Sequence, residues 1–209
     1  MLGLVDDPNP KVCFIPTASG DSPGYCEKFQ TAFTAYGARP SVLSLFYRDI
    51  PDMAHHLMSQ DVVYVGGGST INMLAIWRLH RVDQALRAAW ESGVVLAGLS
   101  AGANCWFEAF TTDSYKIGNA DPATGLGLLK GSFSPHHSSE PARRPSFAAL
   151  IADGTLPPGY ACDDFAAIHF RGEASHQAVT SHVDAAAYRV NQAKDGTAEE
   201  VKLTAAFLG

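Results

Sequence analysis

The residues with the clearest chemical potential form Gly98-Leu99-Ser100-Ala101-Gly102, a G-x-S-x-G stretch between an apolar run and the start of a helical pattern. A strand leading in and a helix leading out is the setting of a nucleophile elbow. The flanking glycines allow the tight turn, which lifts the serine hydroxyl above the sheet edge. The backbone N–H of Ala101 would then face a developing oxyanion. The plainer reading is a helix start made of small residues, with Ser100 as its cap. A second cluster, Gly66-Gly67-Gly68-Ser69-Thr70, also follows a strand and precedes a helix. It lacks the lysine of a P-loop and the spacing of a dinucleotide fingerprint. Beside an elbow it suits the second oxyanion donor, with Gly68 N–H favoured; on its own it is a tight turn.

A serine nucleophile needs a base, and the chain has eight histidines. None forms the H-E-x-x-H of a metal hydrolase. His55, His56 and His80 fall on predicted helix surfaces, His169 and His176 in a strand-rich tail, and His182 just after it. That leaves His136 and His137, in Phe133-Ser134-Pro135-His136-His137, at the end of a strand that follows the elbow region. Strand ends at the carboxyl edge of an α/β sheet are where sites form. Neighbours on an extended chain point opposite ways, so one of the two faces Ser100. For the acid, Asp163-Asp164 follow another strand, and Asp113, after the elbow helix, is a rival. An aspartate in a loop is otherwise a turn former. The chain order Ser, His, Asp differs from the Ser, Asp, His of α/β-hydrolases, which lowers an esterase or lipase reading.

The elements that must position these residues alternate strand and helix through the first half. Residues 11–16 (KVCFIP) form a buried-type strand, and Ser22-Pro23 offers an N-cap and a first-turn proline for a helix over 25–36, closed by Gly37. A second strand is predicted at 41–45, a short helix at 52–59 and a third strand at 61–65. Helices follow from 69 to about 79 and over 82–91, then a fourth strand at 94–98 and a helix over 101–107. In the second half, 159–170, 176–181, 186–190 and 201–203 read as short strands. Continuous apolar strands separated by helices imply a parallel sheet covered on both faces. The expected architecture is α/β in three layers, a mostly parallel sheet with helices on both faces and an antiparallel C-terminal extension. No repeat, low-complexity tract or linker interrupts it, so one catalytic domain is expected over 1–209.

Composition narrows the partners. With 209 residues the chain can bury roughly two-thirds to three-quarters of its unfolded surface. Its 46% apolar content argues against disorder. Fifteen Lys and Arg against 21 Asp and Glu give −6, without the basic field that nucleic acid demands. No apolar run approaches the roughly 18 residues of a membrane helix. Met1-Leu2-Gly3-Leu4-Val5-Asp6-Asp7 has neither the basic start nor the apolar stretch of a signal peptide, so a cytoplasmic protein is expected. Cys13, Cys26, Cys105 and Cys162 show no C-x-x-C spacing, and neither a zinc site nor a disulfide framework is signalled.

Val65-Gly66-Gly67-Gly68-Ser69-Thr70, Gly98-Leu99-Ser100-Ala101-Gly102-Ala103-Asn104, Ser134-Pro135-His136 and Asp163-Asp164 stand in the order and spacing of the peptidase E family, which this chain resembles over nearly its whole length. The combination is specific to that family and its cyanophycinase relatives, and Pro16-Thr17-Ala18-Ser19 is also family-like. The chain begins at what resembles the family's second strand. The resemblance implies a fold like that of class I glutamine amidotransferases and a cytosolic serine peptidase of short peptides, working without a cofactor or metal. Carried over residue by residue, Ser100 is the nucleophile, His136 the base, and Gly68 and Ala101 the oxyanion donors. Asp164 matches the third member, a glutamate in some relatives. Ser69 stands where the family commonly has asparagine. Arg143 and Arg144 lie near the place of a family arginine, and cleavage after an N-terminal aspartate requires a cation that can grip a carboxylate through two hydrogen bonds. Ser69 and Arg143 are therefore the substrate-binding candidates, against the plainer reading of the arginines as a solvated pair at a helix start. The alternatives are a cyanophycinase-like hydrolase and a catalytically silent binding protein on the same fold. The expected partner is a short peptide, with a homodimer left open and neither nucleic acid nor membrane involved.

Overall fold

The first strand, β1 (Lys11–Ile15), is buried at four of its five positions, as a continuous apolar run requires. The computed structural model describes residues 1–209, and the chain divides into two compact units, Met1–Ala103 and Asn104–Gly209. The architecture is mixed α/β.

In the first unit, short 3-10 turns at Leu2–Leu4 and Thr17–Ser19 flank β1. Then come α1 (Pro23–Ala35), β2 (Arg39–Val42), α2 (Met53–Met58), β3 (Val62–Val65), α3 (Thr70–His80), α4 (Val82–Glu91), β4 (Val95–Gly98) and α5 (Ala101–Asn104). The strands lie in the order β2-β1-β3-β4 with every pairing parallel. Pro23 opens α1, where its missing N–H costs nothing. Asp52 caps α2 and Ser69 caps α3 through their side chains. Arg81, left-handed at φ 59°, separates α3 from α4. Val12, Phe14, Phe29, Ala38 and Val62 form a core cluster, in which the rings of Phe14 and Phe29 stack at 4.4 Å. Burying one such phenylalanine contributes about 1.5–3 kcal/mol.

The second unit holds β5 (Phe107–Thr112), β6 (Asp121–Thr124), β7 (Leu129–Ser134), α6 (Arg143–Ala152), β8 (Gly159–Cys162), β9 (Ala166–Arg171), β10 (Ala174–Thr180), β11 (Ala187–Gln192), β12 (Ala198–Lys202) and β13 (Ala205–Phe207). A six-stranded sheet runs β12-β11-β8-β7-β5-β6, parallel through β8-β7-β5 and antiparallel at its flanks. A three-stranded sheet runs β13-β10-β9. Phe147 and Ile151 of α6 pack with Ala109, Leu156, Ala161 and Val190.

Several expectations need correction. The strand expected at 41–45 starts at Arg39 and includes Pro40, tolerated because β2 is a sheet edge and its missing N–H breaks no ladder. The helix expected over 101–107 stops at Asn104, whose buried side-chain amide donates to Thr111 O at 3.1 Å, and Phe107 enters the buried strand β5. Residues 159–170, expected to hold short strands with turns, form β8 and β9, which lie in different sheets. The break falls at Asp163-Asp164-Phe165, with Phe165 left-handed at φ 65°. The C-terminal extension is thus partly a flank of the six-stranded sheet and partly a sheet of its own. No helix is long and apolar enough to cross a membrane.

Candidate active site

In the first unit, β4 runs into the elbow through a turn that only glycine can build. A Cβ at Gly98 would stand 2.2 Å from Gly102 O, and one at Gly102 would stand 2.2 Å from Val65 O. The turn is tied by Leu99 N to Val65 O (3.3 Å), Gly102 N to Leu99 O (2.9 Å) and Ala103 N to Ser100 O (2.9 Å). Ser100, half-buried at its apex, is held left-handed at φ 53°. Such strain in a non-glycine residue costs about 1–3 kcal/mol and persists where the surroundings over-determine it. The glycine loop lies against the elbow: a Cβ at Gly67 would meet Ser100 Cβ at 3.3 Å. Gly68 has φ 138° and no room for a side chain, since a Cβ would stand 2.1 Å from Ala18 O. Ser69 N donates to that same oxygen at 2.8 Å, while Ser69 Oγ accepts from Asn72 N at 3.4 Å as the α3 cap.

In the second unit, His136 follows β7 with a left-handed φ of 53°. Its Nδ1 lies 2.6 Å from Asp164 Oδ1, in the turn between β8 and β9. With Nδ1–H donating to a carboxylate, the lone pair of the neutral ring sits on Nε2. Burial pushes the Asp164 carboxyl up, but hydrogen bonds from Ser139 and His136 outweigh it and hold the group below its usual range. Ser139 had no signal in the sequence beyond standing three residues after the histidine. The rival acids are engaged elsewhere. Buried Asp163 accepts from Ala186 N (3.0 Å) and Tyr188 OH (3.3 Å), and Asp113 lies 3.6 Å from Arg143. Asp164 alone of the three touches His136. Ser100, Gly68 and Ala101 belong to the first unit, and His136 and Asp164 to the second.

His137 turns the other way and is fully buried, its Nε2 bonded to Glu200 Oε2 at 2.7 Å. Burial pushes its pKa below the ordinary 6.5, against the opposing pull of Glu200. A second proton would go on Nδ1, which meets no acceptor. Between the folded value and 6.5 the native state therefore binds fewer protons than the unfolded chain. Stability from this group is complete above pH 6.5 and is lost as pH falls below it. We expect Tm to be flat from about pH 8 to about pH 7 and then to fall, at no more than about 1.4 kcal/mol per pH unit from this one group. His137→Gln should flatten that first acid limb; an unchanged limb in calorimetry would assign it to other groups.

Arg143 does not fit the role of a substrate clamp. It is 3% exposed, and its guanidinium donates to Glu140 Oε2 (2.6 Å) and Thr111 O (2.7 Å). It opens α6 as a packed tie between that helix and the end of β5. Arg144 is more exposed but pairs with Glu200 and lies 4.9 Å over the Tyr188 ring. The plainer alternative of a solvated pair fails for Arg143, because local charge does not show the carbonyl and carboxylates that fold around it, and holds in part for Arg144, whose side chain is 48% exposed. Arg143→Ala should cost on the order of 2 kcal/mol of stability, since it removes charged hydrogen bonds and leaves a cavity. Denaturant melts would measure this; an unchanged midpoint would mean the contacts contribute nothing.

The description "Peptidase family S51" matches residues 1–178 of this chain. The protein named "Uncharacterized peptidase YgaJ" from Bacillus subtilis (strain 168) is 46% identical over 200 residues, covering 96% of this chain and 86% of that one. "Peptidase E" from Actinobacillus pleuropneumoniae serotype 3 (strain JL03) is 27% identical over 182 residues, 81% of this chain and 75% of that one. Among solved structures, a peptidase from an acI-B1 Actinobacterium shares the fold at a TM-score of 0.69 and 21% identity, over 97% of this chain and 84% of that one. A putative peptidase E protein from Listeria monocytogenes EGD-e does so at 0.56 and 17%, over 97% and 91%. Elbow, glycine loop and histidine all fall inside the matched span, and the chain belongs to peptidase family S51.

Proposed function

We propose that this peptidase is of the serine type and cleaves short peptides, with Ser100 as nucleophile, His136 as base and Asp164 as the residue that orients the base. Ser100 Oγ attacks the scissile carbonyl carbon while His136 Nε2 takes its proton. The tetrahedral oxyanion is stabilised by the N–H groups of Gly68 and Ala101. Collapse breaks the C–N bond, and His136 returns the proton to the leaving amine. Water, deprotonated by the same nitrogen, then releases the acyl group from Ser100. No metal or cofactor enters these steps.

The observation that carries this reading is the 2.6 Å contact of His136 Nδ1 with Asp164 Oδ1, which fixes the tautomer a general base needs. The left-handed Ser100 on its glycine elbow supports it independently. Because Arg143 and Arg144 are both committed inside the second unit, the proposal includes no requirement for an aspartate in the substrate. A fluorophosphonate probe followed by peptide mapping should place one covalent adduct on Ser100. A native chain that binds short peptides but takes up no probe would be a silent binding protein.

A further inference from the structure

Each residue of the His136–Asp164 pair has a sequence neighbour that points inward. The His136 side chain is 28% exposed and that of His137 is 1% exposed; Asp164 is likewise open and Asp163 buried. The two inward neighbours meet a common partner. Tyr188 OH donates to Asp163 Oδ2 at 3.3 Å, and the Tyr188 ring lies 5.3 Å from the His137 ring. Glu200 closes the group, accepting from His137 Nε2 and from Arg144, whose guanidinium lies 4.9 Å over the Tyr188 ring. Main-chain bonds follow the same path. His137 N donates to Cys162 O (3.1 Å), Asp163 N to Ala186 O (2.9 Å), and Ala186 N returns to Asp163 Oδ2.

We propose that β11 and β12 hold the His136–Asp164 pair in register from behind, through buried Asp163 and His137 and the more open Tyr188 and Glu200 that they contact, with Tyr188 and Glu200 as positioning residues. The inference rests on the serine-peptidase reading above. Both His136 (φ 53°) and Phe165 (φ 65°), which follows Asp164, sit in left-handed backbone that needs fixed surroundings to persist. The inward neighbours supply them: His137 fixes the residue before it, and Asp163 fixes the entry to the turn that carries Asp164. A catalytic contact tolerates only about 0.5 Å of drift. Tyr188 and Glu200 lie beyond residues 1–178, so the positioning role falls to strands outside the family match.

Tyr188→Phe removes one hydroxyl and keeps the ring, while Glu200→Gln keeps an acceptor for His137 and Glu200→Ala removes it. Tyr188→Phe and Glu200→Ala should each lower kcat by about tenfold or more with KM within about twofold, and Glu200→Gln should lose less. Ring 15N shifts of His136 should report the Nδ1–H tautomer in the native protein and a mixture in Tyr188→Phe and Glu200→Ala. Should Glu200→Ala not fold, Tyr188→Phe decides alone. Unchanged kcat with an unchanged His136 tautomer would overturn the proposal and leave these contacts as fold support. If Ser100 proved not to be the nucleophile, the tautomer would still answer, so the two readings fail separately.

Discussion

Ser100→Ala should lower kcat by about 10⁴- to 10⁶-fold while leaving the fold intact. The size follows from the way a nucleophile and its base act as one unit: without Oγ, the proton acceptor on His136 has nothing to activate. Binding and the oxyanion N–H groups would then supply only the residual rate. The fold should not suffer, because alanine meets the same left-handed backbone that serine already tolerates at φ 53°. Ser100→Gly sharpens the test. Glycine relaxes that conformation, so it should melt above Ser100→Ala by the equivalent of about 1 kcal/mol and be equally inactive. Hydrolysis of a short peptide at the native rate by either variant would remove Ser100 from the chemistry.

Asp164→Asn should cost about 10⁴-fold in kcat with little change in Tm. An amide facing His136 Nδ1 favours the tautomer with the proton on Nε2, which then has no lone pair to accept the serine proton. Nor does it balance the imidazolium that forms. Asp163→Asn makes the contrast. Its carboxylate accepts from Ala186 N and Tyr188 OH inside the second unit, so its loss should appear as about 1–3 kcal/mol of stability before it appears in rate. Stopped assays and melts on the two variants side by side would decide. A severe rate loss confined to Asp163→Asn would move the third member one residue upstream.

The parts of the fold that could be read in advance are those whose local chemistry and tertiary fate agree. β1 from Val12 onward and β3 are apolar and buried except for half-buried Tyr64, and α4 over Val82–Glu91 follows its helical spacing. Where tertiary context overrides local preference, reading fails. Ala101 to Phe107 has a helix-like composition, but the helix ends at Asn104 and Phe107 is buried at the start of β5. β6 alternates half-buried and exposed residues and contains Pro122, so it carries no strand signal of its own. Among the candidate site residues, the glycine elbow and the His136-His137 step are legible because a tight glycine turn and a paired histidine at a strand end have fixed local spacing. The partners are not: Ser139, Tyr188 and Glu200 are ordinary polar residues until the chain brings them to Asp164, Asp163 and His137. Arg143, a substrate-binding candidate in the sequence, is buried against Glu140 and Thr111, contacts that its local sequence does not announce.

The glycines around the elbow separate what sequence drift can erase from what it cannot. At Gly68, Gly98 and Gly102 a backbone oxygen stands 2.1–2.2 Å from where any side chain would begin, so every substitution there collides with main chain that has no rotamer to offer. Ser100 carries no such restriction. A lineage released from selection for hydrolysis would lose the hydroxyl long before the turn that presents it. Descendants without activity would keep the glycine signature, and a genome survey that scored the motif without its central serine would count retired copies as working ones.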